Sequence, residues 1–206
     1  MNARERILDA AAEIMRGQGA ARATTKEIAR AAGYSEALLY KHFRDKNELL
    51  LKVLKERMPP MGAALVPGEG TVRANLVATA RDGLRFYRES FPMMASMASQ
   101  PALMAATRDG MRSYGAGPHE PVRRLAAYLE AERDLGRVAA GADPAAAAAL
   151  LLGACFQQGF LAYVAEDPPA SEEAAAALVA PLLPALLPPG ATRGPHDDPP
   201  PGGDSR

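Results

Sequence analysis

The chain has 206 residues, 48% apolar but only 5% aromatic and without tryptophan, which disfavours an all-β fold and suits a small helical domain followed by a medium one. Its 24 Lys and Arg balance 24 Asp and Glu, which argues against a nucleic-acid partner until charge is mapped along the chain. Residues 1–57 hold 12 basic against 8 acidic side chains and the remainder 12 against 16, the asymmetry of a polyanion binder that grips at one end, although chance scatter also produces an imbalance this small.

Apolar positions Ile7, Leu8, Ala11, Ile14 and Met15 lie on one helical face, so the spacing predicts a helix over 4–15, ended by Gly17 and Gly19. Thr24-Thr25-Lys26-Glu27 has capping-box spacing and opens a second helix running to about Ala32, where Gly33 turns the chain. Ser35 is a good N-cap for a short third helix over 36–43, and Asp45 with Glu48 opens a fourth. The segment from Met58-Pro59-Pro60 to Pro67-Gly68-Glu69-Gly70 reads as a break. Helices are then expected over 71–90, 101–113, 121–135, 144–164 and 171–187, with Pro181 and Pro184 kinking or shortening the last. From Pro188 onward the composition is that of a disordered tail.

The second and third helices form a unit. Ile28, Leu39 and Phe43 can close a miniature core with the first helix, while Ala37, Lys41 and Tyr40 face away from it. A short helix with one buried face and one polar, aromatic and basic face can enter a major groove. Glu36 can accept from cytosine N4, or serve only the helix dipole; Ala37 can touch a thymine methyl; Lys41 can meet guanine or phosphate. Lys46 occupies the first position of the fourth helix, where the dipole disfavours a cation. Either a phosphate docks on that terminus or the lysine is simply solvated beside Asp45.

Residues 4–54, above all Thr24-Thr25-Lys26-Glu27-Ile28-Ala29 and Gly33-Tyr34-Ser35-Glu36-Ala37-Leu38-Leu39-Tyr40-Lys41-His42-Phe43-Arg44-Asp45-Lys46, resemble the TetR family of bacterial regulators. The resemblance implies an all-α protein: a three-helix helix-turn-helix domain over 1–50, a helical effector-binding and dimerisation domain over 51–188, and the tail over 189–206. It implies a homodimer on a palindromic operator in double-stranded DNA, with Thr25, Ser35, Tyr40, His42 and Lys46 on the backbone or at caps, Glu36, Ala37 and Lys41 reading sequence, and Lys26 among the DNA-binding residues. Tyr34 stands where the family often has valine and either adds a contact or packs.

For the body the resemblance implies a small-molecule effector pocket. Phe86, Met93, Met97 and Met104 are candidates, with ordinary core as the alternative for each, and Phe156, Phe160 and Gln157 join them, Gln157 as a buried amide that needs a partner. The helix over 144–164 is apolar almost all round and so needs burial on two sides, as against its own core and a partner subunit. Gln157 and Gln158 within it, and Pro168 and Pro169 after it, favour a buried helix over a membrane span. No signal peptide, disulfide framework, zinc-ligand spacing, phosphate loop or nucleophile elbow is found. The expectation is therefore a cytoplasmic regulator with no cofactor, with a helical protein-binding adaptor as the rival class.

Overall fold

The computed structural model describes residues 2–59, 61, 65–113 and 117–189, and all regular structure among them is helical. Pro60 in the expected break and residues 190–206 of the expected tail lie outside the described residues.

Helix α1 (Ala3–Arg22) begins where Asn2 accepts from the Glu5 amide at 2.9 Å. It does not stop at Gly17 or Gly19, as the sequence suggests. Gly19 leaves the helical region (φ 80°, ψ 159°), kinks the chain and lets one more turn follow. The reason is tertiary: a Cβ on Gly19 would lie 2.9 Å from the Ser96 Cβ, and the Ser96 hydroxyl accepts from the Ala21 amide at 2.7 Å.

Helix α2 (Thr25–Ala32) carries the full capping box, and Gly33 closes it in the left-handed region at φ 79°. Helix α3 (Glu36–His42) is capped by Ser35, and helix α4 (Lys46–Glu56) by Asp45, which accepts from the Glu48 amide at 2.8 Å. That bond holds the Asp45 carboxyl below its ordinary range. Arg4 grips Glu56 through both guanidinium nitrogens (2.8 and 2.9 Å), while Arg57 pairs with Glu5 and Asp9, so α4 is clasped along α1.

Helix α5 (Val72–Ala98) outruns its expected end at Ser90 by passing through Pro92. Proline removes the bond to the Arg88 carbonyl, but the turns beyond it bury Met93 and Met97, which compensates for the lost bond. Helices α6 (Pro101–Ser113), α7 (Glu120–Asp134) and α8 (Pro144–Val164) follow. The last expected helix is broken at its prolines into α9 (Glu172–Val179), a 3-10 turn (Ala180–Leu182) and α10 (Leu183–Leu186).

Two apolar clusters organise the chain. The first joins Ile7, Met15, Ile28, Leu39, Phe43 and Leu49 of α1 to α4 with Met93, Met97 and Leu103. The second packs Leu76 and Leu84 against Leu129, Leu151, Val179 and Leu183. Helix α5 contributes to both, so it is a strut shared by the amino-terminal unit and the body.

At the far end of the body a polar network ties the segment before α5 to α7. Glu132, fully buried, accepts from the Gly68 amide at 3.1 Å and stands 3.0 Å from the Arg137 Nε as an ion pair without hydrogen-bond alignment. Asn75 donates to the Tyr128 hydroxyl at 2.8 Å, and burial pushes that phenol up to about 12.

Among the described residues α8 is the one helix long and apolar enough to cross a membrane by length and composition. Pro144, Ala147, Ala148, Leu151, Leu152, Cys155 and Gly159 of α8 face the core. Gly159 lets α8 touch α5, since a Cβ there would lie 2.8 Å from the Tyr87 Cβ. Burial pushes the Cys155 thiol up to about 12, as expected for an inert core cysteine.

Candidate nucleic-acid interface

Helix α3 is buried on one side and open on the other. Leu39 and the following Phe43 sink into the first cluster beside Ile28 and Leu8, whereas Ser35, Ala37, Tyr40, Lys41 and His42 are exposed, Tyr40 to 49%. The turn that aims α3 is fixed by Gly33, whose amide donates to the Arg30 carbonyl at 3.0 Å, and by the Tyr34 amide donating to the Ala29 carbonyl at 2.9 Å. No other part of the described chain covers the outer face of α3, so it is free to lie along a groove.

Thr25, half-exposed at the start of α2, joins the two helices. Its hydroxyl donates to the Glu36 Oε1 at 2.5 Å and lies 3.2 Å from the Tyr40 hydroxyl. Lys26 is exposed and shares an open cleft with Arg30, Tyr34, Ser35 and Glu36. Glu27 is held below the ordinary carboxylate range, first by the Thr24 hydroxyl and then by the Thr24 amide.

Lys46 is not simply solvated beside Asp45. Its ammonium is half-buried and donates to the Ala21 carbonyl at 3.2 Å, in the last turn of α1, where the dipole favours a cation. Burial pushes its pKa down, and the nearby Glu27 partly opposes that. The Ala21 carbonyl therefore offsets the conflict at the start of α4 from within the chain.

Arg6 escaped sequence reasoning. Its guanidinium stacks over the Tyr34 ring, 5.1 Å from the centroid, which places an exposed cation beside the turn. Tyr34 therefore acts as a platform for Arg6. The signal lay in the basic residue at the start of α1, but only the crossing of α1 over the turn connects the two.

The seven effector candidates do not meet around one cavity. Met93 and Met97 are buried in the first cluster, with Phe86 and Met104 half-buried against it. Phe156, Gln157 and Phe160 lie on the exposed face of α8, Phe156 packing edge-on to Tyr87 and Phe160 against Phe91. The reason is helical geometry: Cys155 and Gly159 take the inward positions, so their neighbours at 156, 157 and 160 turn outward. Gln157 is thus a solvent-facing amide and not a buried one. Among the described residues no group of three or more His, Cys, Asp and Glu side chains could hold a metal.

Residues 7–53 match the family profile described as bacterial regulatory proteins, tetR family. The HTH-type transcriptional repressor Rv1474c of Mycobacterium tuberculosis is 30% identical over 166 residues, covering 72% of this chain and 88% of that protein. The HTH-type transcriptional regulator SrpR of Pseudomonas putida is 41% identical over 71 residues, 34% of this chain and 33% of SrpR. TtgW from the same species is equally similar over 71 residues and is matched over 53% of its length, so the chain aligns with a third to about half of these two relatives. Among solved structures, SmeT, the repressor of the Stenotrophomonas maltophilia multidrug efflux pump SmeDEF, superposes with a TM-score of 0.64 at 24% identity, over 91% of both chains. SmeT in complex with triclosan gives the same score at 25% identity, over 91% of this chain and 93% of that one. Profile, relative and fold agree, and the chain belongs to the TetR family of DNA-binding transcriptional regulators.

Proposed function

We propose that the protein is a repressor that binds a palindromic operator as a homodimer and is released by a small hydrophobic or amphipathic effector. The observation that carries this reading is the two-sided character of α3: Leu39 buried, and Ala37, Tyr40, Lys41 and His42 open to solvent. Residues 1–50 form the DNA-reading head and 51–188 the regulatory body. Thr25, Lys26, Ser35, Tyr40, His42 and Lys46 hold the backbone, joined by Arg6, while Glu36, Ala37 and Lys41 face the bases.

The outward stripe of α8 supports a dimer. Leu150, Phe156, Leu161 and Val164 are exposed on one side of it, and Gly153 leaves open space for a close approach. An apolar stripe of this kind is buried by an isologous partner in a twofold dimer. Phe156, Gln157 and Phe160 are assigned to that face.

Effector entry is placed at the junction of Phe86, Met93, Met97 and Met104, where adaptable methionines join the head to α5 and α6. Binding of triclosan by SmeT supports an apolar, drug-like class of ligand. A ligand that prefers one packing of this junction changes the separation of the two reading helices, which must span roughly 34–36 Å or a multiple of it. The protein acts in the cytoplasm, where its operator is.

Selection of bound duplexes from a random library tests this directly. A recovered inverted repeat, bound in a salt-dependent manner, is expected. Recovery of no sequence, or of a half-site without symmetry, would overturn the operator and dimer assignments.

A further inference from the structure

We propose that Glu36 is a specificity gate: an internal anion that occupies the Thr25 hydroxyl with which the head grips the DNA backbone, and that only a duplex offering it a base-edge donor can displace at little cost. The proposal rests on the DNA-binding reading above and adds a role for one acidic side chain within it.

Glu36 opens α3, and its Oε1 accepts from the Thr25 hydroxyl at 2.5 Å, while the same hydroxyl lies 3.2 Å from that of Tyr40. Tyr40 stands one helical turn beyond Glu36, so carboxylate and phenol flank Thr25 from one face of α3. A threonine hydroxyl has one proton to give. While Thr25 gives it to Glu36, it has none for a phosphate oxygen. The partner seen for the Glu36 carboxylate is thus a neutral hydroxyl and not a cation.

A phosphate that approaches Thr25 and Tyr40 therefore meets a carboxylate already in place. Like charges repel, and this repulsion acts on every sequence alike. When Thr25 turns its proton to the phosphate, Glu36 loses its donor. The exocyclic amine of cytosine, exposed in the major groove, is the base-edge group a carboxylate accepts from most directly. A site with cytosine at that position gives Glu36 a new partner; other sites leave a bare charge against the groove. Glu36 thus weakens binding to arbitrary DNA more than binding to its own site.

The test uses the full chain, the duplex recovered by selection and a scrambled duplex of equal length, with binding followed by fluorescence anisotropy at two salt concentrations. Glu36→Gln keeps the side-chain length and an acceptor oxygen but removes the charge, and circular dichroism checks that helix content is unchanged. It is expected to bind the scrambled duplex roughly fivefold more tightly, to bind the selected duplex no better, and to relax the cytosine preference. In a Thr25→Val background the gain from Glu36→Gln is expected to shrink to about twofold, because competition for the Thr25 hydroxyl is gone and only relief of like-charge repulsion remains. An unchanged or lower affinity of Glu36→Gln for the scrambled duplex overturns the gate, as does a full gain that survives in Thr25→Val. Failure of the unsubstituted protein to bind any duplex would instead overturn the DNA-binding reading, and the gate with it.

Discussion

The Lys46 ammonium donates to the Ala21 carbonyl across 3.2 Å, so one cation stands at the positive end of α4 and the negative end of α1 together. The amide of the same Ala21 donates to the Ser96 hydroxyl. A single residue of α1 therefore joins the head, through Lys46, to the strut α5, through Ser96.

Lys46→Ala is expected to lower stability by about 1 kcal/mol through the lost bond. It is also expected to weaken operator and scrambled duplexes to the same degree, with the salt slope flattened by about one unit. Thermal unfolding and salt titrations measure the two effects separately. A lower midpoint with an unchanged slope would confine Lys46 to joining α1 and α4.

Gly19→Ala places a methyl 2.9 Å from the Ser96 Cβ and 3.3 Å from the Pro92 carbonyl, at a φ of +80°. Strain and overpacking together are expected to cost about 3 kcal/mol. Ser96→Ala, which only removes the acceptor for the Ala21 amide, is expected to cost about 1–2 kcal/mol. Urea unfolding of both variants decides the matter, and a Gly19→Ala protein as stable as the parent would mean the kink is dispensable.

Glu132→Ala leaves the Arg137 guanidinium and the Gly68 amide without their carboxylate, and a loss of about 3 kcal/mol is expected. Glu132→Gln keeps an acceptor for Gly68 and should lose less. Equal losses would show that the charge, and not the acceptor for Gly68, binds the segment before α5 to α7, whereas a Glu132→Gln protein as stable as the parent would show that the charge is dispensable. Hydrogen exchange at Gly68 reports the local opening directly.

Phe156→Glu changes a ring that is 46% exposed in the single chain, so the fold is expected to persist. Across a twofold contact the substitution buries two like charges, and sedimentation should show monomers where the parent is dimeric. Operator affinity should fall with the loss of the dimer. A variant that remains dimeric would move the interface off this stripe of α8.

Short-range chemistry made the reading head legible. Capping residues Thr24, Ser35 and Asp45 set helix starts within a residue, because a side-chain oxygen three positions before an amide acts locally. Pro144 to Val164 was bounded in the same way, by Asp143 before it. Gly17 and Gly19 misled because a glycine only permits a stop, and the packing of Ser96 and Pro92 decides whether the chain takes it. Pro92 does not end α5, since burial of Met93 and Met97 outweighs one lost helical bond.

By itself the sequence determined the helical class, the head with its buried and exposed faces, and the positions of Thr25, Glu36, Tyr40 and Lys46 along it. Caps and periodicity act over a few residues and need no partner. The tertiary structure decided that Lys46 answers to Ala21, that Arg6 rests on Tyr34, and that Phe156 and Phe160 face outward while Met93 and Met97 lie beneath the head. Those relationships join residues tens of positions apart or depend on which side of α8 meets α5, and no local pattern encodes how two helices cross.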